Sequence, residues 1–240
     1  LAVLAKQMNA VHKIDWSLLP EKYKQTTYAL WMKAMAGIKK HGLRNSQVTV
    51  IAPTGTIGLV MDCGTTGIEP DYSLVKNKKL SGGGQLRIVN ESLEKVLKNL
   101  QYSDSEKNQI IHHIVNTGSV MKCAVLKPEH RAIFQTAQGD NKISADGHLM
   151  MMAAVQPFIS GAISKTVNLP AEAKVADISD VYMKAWKLNL KSVSLYRDQS
   201  KFVQPLSDVS QKCVVCGHTT ILESGCYKCH NCGFVSACVG

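Results

Sequence analysis

Six of the eight cysteines in this chain fall within its last 28 residues, at Cys213, Cys216, Cys226, Cys229, Cys232 and Cys238. Cys213-Val214-Val215-Cys216-Gly217 and Cys229-His230-Asn231-Cys232-Gly233 each put two thiols across one tight turn, with a glycine following to relieve the backbone. Two such knuckles are a complete tetrahedral thiolate set for Zn2+. So short a segment cannot bury enough apolar surface to fold unaided, so metal binding would itself supply the folding free energy. The sequence therefore predicts a small zinc-ribbon-like tail with Cys213, Cys216, Cys229 and Cys232 as metal ligands. Cys226 and Cys238 exceed the needs of one zinc. Cys226 also forms a C-x-x-C with Cys229, so spacing alone leaves open which thiols could exchange, and a purely structural ribbon stands as the plainer alternative.

The body before the tail is of another character. A chain of 240 residues with 45% hydrophobic content is long enough for one sizeable core and a small appendage. Its formal charge of +10 attracts polyanions. From Cys213 onward, however, Lys228 is balanced by Glu223, so the excess belongs to the body. A ribbon that reads RNA or DNA would interleave Lys and Arg with aromatics. This one offers Tyr227 and Phe234 without net charge, so a nucleic-acid-binding module ranks second and nucleic acid is not expected as a partner. Runs such as Lys76-Asn77-Lys78-Lys79 read as a solvated basic face. No stretch reaches the roughly 18 consecutive apolar residues of a membrane span, and the first residues carry no basic leader, which predicts a cytoplasmic location. The chain opens without Met, directly on a helical pattern of Leu1, Leu4, Ala5, Met8 and Val11, as a piece of a longer polypeptide would.

Along the body, helical patterns alternate with short β-branched runs. Pro20 and Gly42 bracket a helix over 21 to about 40 that offers Tyr28, Trp31, Met35 and Ile38 to a core. Gln47-Val48-Thr49-Val50-Ile51 reads as a buried strand. Ser81-Gly82-Gly83-Gly84 reads as a hinge, and Leu93, Val96, Leu97 and Leu100 mark a helix after it. Ser103 and Glu106 form a capping box for the next helix, which Gly118 stops. Further helices are predicted over 128 to about 137, 146 to about 159 and 178–188, with a strand over 192–196. Alternation of this kind predicts an α/β architecture of parallel strands covered by helices. Residues 200–210 read as a linker, dividing the chain into 1–207 and 208–240.

At the end of the predicted strand, Ala52-Pro53-Thr54-Gly55-Thr56-Ile57-Gly58 combines a fixed entry dihedral, two glycines and two hydroxyls. Successive backbone amides in such a turn converge on an anion without needing a lysine. By spacing alone an ordinary turn is the commoner outcome.

The turn is followed by Met61-Asp62-Cys63-Gly64-Thr65-Thr66-Gly67-Ile68-Glu69-Pro70, and further on by Ala154-Val155-Gln156-Pro157-Phe158-Ile159-Ser160-Gly161-Ala162-Ile163-Ser164-Lys165-Thr166-Val167-Asn168-Leu169-Pro170 and Tyr196-Arg197-Asp198-Gln199-Ser200-Lys201. In this order, over nearly the whole chain, these motifs resemble the adenosylcobalamin-dependent (class II) ribonucleotide reductases, in the long form with a zinc-binding tail. The resemblance implies the C-terminal part of a ten-stranded α/β barrel, in which Thr54, Gly55, Thr56 and Ile57 bind the phosphate of a ribonucleoside di- or triphosphate, chiefly through backbone amides. It further implies adenosylcobalamin as the radical source and the rest of the reductase chain as a necessary partner, since the segment that carries the thiyl-radical cysteine is not in this sequence. It implies too a dithiol relay through the tail to a thioredoxin-like reductant. Zinc is assigned to the two glycine-followed knuckles and exchange to Cys226 and Cys238, with Cys226 and Cys229 as the alternative pair. Cys63 and Cys123 are read as packed, inert thiols. Glu69, Lys165, Thr166, Asn168 and His148 are read first as structural.

Overall fold

A computed structural model of the chain describes residues 2–79, 85–198, 200, 206–208, 213, 215–216, 220–223 and 226–235. The described elements run in the order α1 (Ala2–His12), α2 (Glu21–His41), α3 (Gly55–Val60), β1 (Val75–Lys79), β2 (Gln85–Val89), α4 (Ser92–Asn99), α5 (Asp104–Thr117), α6 (Ala145–Val155), β3 (Thr166–Leu169), α7 (Val175–Lys187), β4 (Ser194–Arg197), β5 (Leu206–Asp208), β6 (Ile221–Glu223) and β7 (Cys226–Lys228). The chain divides into two compact units: Leu1–Pro53, Ala145–Val167 and Glu172–Leu195 form one, and Thr54–Ser144, Asn168–Ala171 and Tyr196–Gly240 the other.

In the first unit, Met8 and Val11 of α1, Leu149 and Met152 of α6, and Val181 and Ala185 of α7 are buried at helical spacing, together with Ile163. Helix α2 begins after Pro20 and ends at Gly42, whose φ of 73° only glycine adopts freely, so both boundaries follow from the sequence. Its packing does not. Tyr28 is 39% exposed, Trp31, Met35 and Ile38 are only half-buried, and no α2 residue is fully buried. Trp31 packs on Phe158 with ring centroids 6.2 Å apart, and Tyr28 meets Trp16 edge-on at 5.8 Å.

The expected buried strand over 47–51 is also corrected. The segment is extended, but Val48 and Val50 are 57% and 65% exposed. One edge pairs with 160–164: Ile51 N donates to Ala162 O at 3.3 Å, Ser164 N to Ile51 O at 2.9 Å, and Gly161 N to Thr49 O at 2.7 Å. Ile51 and Ile163 make a parallel bridge, the remnant of the predicted ladder. Gly161 is required here, because a Cβ at this position would lie 2.8 Å from Thr49 O. Pro157 ends α6 early, and Gln156–Phe158 continues as a 3-10 turn.

In the second unit, the core gathers Leu74 and Val75, Leu93 and Leu97 of α4, Ile110 and Ile114 of α5, and Val120, Leu126 and Phe134. Each fully buried aliphatic side chain contributes about 1.5–3 kcal/mol relative to exposure. The capping box at α5 is formed as expected: Ser103 N donates to Glu106 Oε2 at 2.8 Å, and Gly118 closes the helix in the left-handed region at φ 72°. The helix expected over 128 to about 137 forms as a shorter 3-10 helix, Pro128–Phe134.

The ladders that set this unit's sheet are antiparallel, against the expectation of parallel strands. β1 pairs β2 with Val75 opposite Val89, and β5 pairs the other edge of β1 with Lys76 opposite Asp208. The basic run at 76–79 is thus central strand, and the stretch read as a linker over 200–210 contains the edge strand Leu206–Asp208. The glycine hinge at 81–84 lies outside the described residues. β3 and β4 form a two-stranded sheet, and β6 and β7 an antiparallel hairpin. Among the described residues, no helix is long and apolar enough to cross a membrane.

Candidate functional site

Gly55–Val60 form the short helix α3, which takes up most of the loop expected over 53–58, and Thr54 stands immediately before it. The first helical bond runs from Gly58 N to Thr54 O at 2.8 Å. The amides of Gly55, Thr56 and Ile57 precede that bond and lie in the first turn, where a helix directs its N–H groups outward and carries its positive dipole end. Thr56 and Gly55 are exposed and Ile57 is 63% exposed. The segment read as an anion-binding turn thus forms a helix start, with these three amides in its first turn.

Thr54 has φ 47°. For a β-branched residue this left-handed conformation is costly, about 1–3 kcal/mol, and it persists only where surrounding contacts enforce it. Here the turn after α3 does so. Gly67 N donates to Thr54 Oγ1 at 2.7 Å, Cys63 N donates to Gly58 O at 2.9 Å, and Glu69 N donates to Thr66 O at 3.0 Å. Gly58 is buried, and a Cβ there would meet the Thr66 methyl at 3.4 Å. The turn is fixed in its own right by Lys76, whose ammonium donates to Asp71 Oδ1 at 2.6 Å and to Gly64 O at 3.5 Å, while Asn90 donates to Asp71 Oδ2 at 2.5 Å. Neither Gly67 nor Lys76 stood out in the sequence as serving this turn. Their roles come from backbone direction and from a partner on β1, which no local spacing encodes.

Cys63, expected to be packed, is exposed, whereas Cys123 is buried as expected. His148 and Lys165 are 1% and 2% exposed, and Lys165 Nζ lies 2.7 Å from His148 Nδ1. Burial first, and then the Lys165 charge, lowers the His148 pKa from 6.5 to about 4, so the imidazole is neutral and accepts the lysine's proton donor at Nδ1.

In the tail, the Sγ atoms of Cys213, Cys216, Cys229 and Cys232 all lie within 4.8 Å of one another. Cys213 and Cys232 sulfurs are 3.5 Å apart, and those of Cys216 and Cys229 3.4 Å. A tetrahedral ion with metal–sulfur distances of about 2.3 Å sets its ligands about 3.8 Å apart, so the cluster fits one zinc-sized thiophilic ion. The second knuckle turns as its glycine predicts: Gly233 has φ 73°, Gly233 N donates to Cys229 O at 2.8 Å, and Cys229 N to Phe234 O at 2.7 Å. The hairpin of β6 and β7 leads directly into Cys229. The Phe234 amide pulls the Cys232 thiol down, but hydrogen bonds with Cys216, Cys213 and Cys229 and desolvation outweigh it and push the pKa up to about 12. Four crowded thiols resist ionising together, and a bound divalent cation removes that resistance. Cys226 is disulfide-bonded, whereas Cys63, Cys123, Cys213, Cys216, Cys229 and Cys232 are free. Cys238 lies outside the described residues.

Residues 4–196 match the family model described as the ribonucleotide reductase barrel domain. The chain is 52% identical over 177 residues to the vitamin B12-dependent ribonucleotide reductase of Streptomyces coelicolor, a match that takes in 74% of this chain and 18% of that protein. It is 44% identical over 197 residues to the protein of the same name from Rhodopirellula baltica, covering 80% of this chain and 19% of that one. It is 38% identical over 184 residues to the vitamin B12-dependent ribonucleoside-diphosphate reductase of Mycobacterium tuberculosis, covering 76% and 25%. The matched region thus spans about a fifth to a quarter of these relatives. Among solved structures, the class Id ribonucleotide reductase alpha subunit of Actinobacillus ureae aligns with a TM-score of 0.52 at 21% identity, over 82% of this chain and 34% of that one, a likeness of fold.

Proposed function

The chain belongs to the ribonucleotide reductase barrel family, and on that premise we propose that it is the C-terminal part of a vitamin B12-dependent reductase that converts ribonucleotides to deoxyribonucleotides. The observation that carries the reading is the start of α3, where the amides of Gly55, Thr56 and Ile57 face outward within the motif that resembles the family's phosphate loop. A phosphate held there anchors one end of the substrate while the ribose meets the radical centre. Rigid placement of this kind can supply several kcal/mol, up to about 7–11, of a bimolecular barrier. Adenosylcobalamin supplies the initiating radical when bound. No residue of this chain is assigned to hold it or to carry the thiyl radical. The name of the Mycobacterium tuberculosis relative favours a ribonucleoside diphosphate as substrate.

Reduction removes the ribose 2′-hydroxyl as water and takes two electrons from a dithiol, which becomes a disulfide. Cys226 and Cys238 then restore that dithiol by exchange through a mixed disulfide and are themselves reduced by a thioredoxin-like protein. The disulfide-bonded state of Cys226 supports this reading. Cys213, Cys216, Cys229 and Cys232 hold Zn2+ and fold the tail, which follows the barrel portion at about residue 208. The enzyme works in the cytoplasm, where reduced thioredoxin-like partners and nucleotides are at hand.

The test is turnover by the complete polypeptide. Anaerobic assays with adenosylcobalamin, cytidine diphosphate and a reduced thioredoxin should yield deoxycytidine diphosphate. No product with any common ribonucleoside di- or triphosphate would overturn the assignment.

A further inference from the structure

The phosphate reading treats Thr54 as a ligand. Its geometry gives the side chain another task. Thr54 is the one β-branched residue in the left-handed region among the described residues, at φ 47°. Its hydroxyl oxygen accepts from Gly67 N at 2.7 Å, thirteen residues on. That single bond ties the residue whose backbone sets the direction of α3 to a turn that is itself fastened by Lys76 to Asp71 and Gly64 O. The buried Gly58, with the Thr66 methyl 3.4 Å from where its Cβ would stand, closes the second point of contact. Two contacts, one at each end of the first helical turn, fix the rotation of α3 about its axis. With either lost, Thr54 can relax to an ordinary negative φ, and such a change swings the following amides away from a common target.

We infer that Thr54 is a positioning residue: its hydroxyl accepts the Gly67 amide and holds the backbone turn that aims Gly55, Thr56 and Ile57 at the substrate's anionic end, so the 61–70 turn sets nucleotide affinity without touching nucleotide. This rests on the phosphate-binding reading and adds the device that preorganises it.

The test compares Thr54→Val and Thr54→Ser in the complete reductase with cytidine diphosphate as the probe. Two quantities are followed: the dissociation constant, and hydrogen exchange of the 61–70 peptide without nucleotide. Thr54→Val should weaken cytidine diphosphate binding by roughly three- to tenfold, as expected for one lost neutral hydrogen bond. It should also speed exchange at 61–70 in the nucleotide-free protein. Thr54→Ser, which keeps the acceptor, should stay within about twofold of wild type on both. Should Thr54→Val not fold, Thr54→Gly, free of the φ strain but lacking the hydroxyl, carries the same comparison. Weakened binding with unaltered exchange at 61–70 would make the hydroxyl a direct ligand and overturn the inference while leaving the phosphate reading in place. Unchanged binding in Thr54→Val would overturn it as well. If cytidine diphosphate fails to protect 54–60 in the wild-type enzyme, the phosphate reading itself falls.

Discussion

Lys165 donates to His148 Nδ1 at 2.7 Å, with both side chains sealed from solvent in the unit built by α1, α6 and α7. The arrangement survives only while the imidazole is neutral, because a protonated ring would present a second buried cation to the ammonium.

A pH dependence follows. The His148 pKa falls from 6.5 to about 4 on folding. Above pH 6.5 the ring is neutral in both states and contributes no pH dependence. Between about 6.5 and 4 the unfolded chain binds a proton that the folded chain refuses, so stability drops as pH falls, by on the order of 3 kcal/mol across the window. Urea unfolding at pH 7 and pH 4.5 should show this loss in the wild type and a flatter dependence in His148→Gln. An equal loss in both proteins would place the acid sensitivity elsewhere.

Gly161→Ala should destabilise the protein by about 1–3 kcal/mol, since its Cβ would stand 2.8 Å from Thr49 O and force apart the pairing of 49–51 with 160–164. Thermal unfolding measures this. Gly37→Ala, where a Cβ would meet nothing within 4 Å on an exposed helix, should be neutral or slightly stabilising.

On the proposed zinc assignment, Cys213→Ser or Cys232→Ser should release the metal and unfold the ribbon, because three thiolates leave the tetrahedron open and metal binding would supply the folding free energy. Metal analysis after gel filtration, with hydrogen exchange over 220–235, should show both losses together. Full zinc occupancy in either variant would remove that cysteine from the ligand set.

Replacing Cys226 and Cys238 together by Ser in the complete enzyme should leave zinc in place and block turnover driven by thioredoxin, while turnover driven by a small dithiol persists. Thioredoxin-driven rates equal to wild type would end the relay assignment.

What the sequence made legible was local. The start of α2 after Pro20, its stop at Gly42, the capping box of Ser103 and Glu106 and the closing Gly118 depend on interactions within a few residues, and the structure forms each of them. The four-thiol cluster was legible because metal geometry allows few spacings. Pro157 cut α6 short from within the segment itself, but the larger misses were settled by distant partners. β1 carries Val75 and then a polar, basic run without alternation, and is a strand because β2 and β5 flank it. Val48 and Val50 read as buried residues, yet the described residues cover only one edge of their segment. The turn at Pro53 read as loop, because Gly55 and Gly58 are poor helix formers, and α3 forms there with the help of the Gly67 and Thr66 contacts. The proposal that phosphate binds there rests on the succession of motifs that resembles the family.

The central claim is that the first-turn amides of α3 hold the substrate's phosphate. Its most direct measurement is a crystal structure of the complete reductase with cytidine diphosphate bound. The account predicts phosphate oxygens about 2.7–3.2 Å from the backbone nitrogens of Gly55, Thr56 and Ile57. A nucleotide seated in the active site with its phosphates on other groups, and those three amides facing solvent, would contradict it.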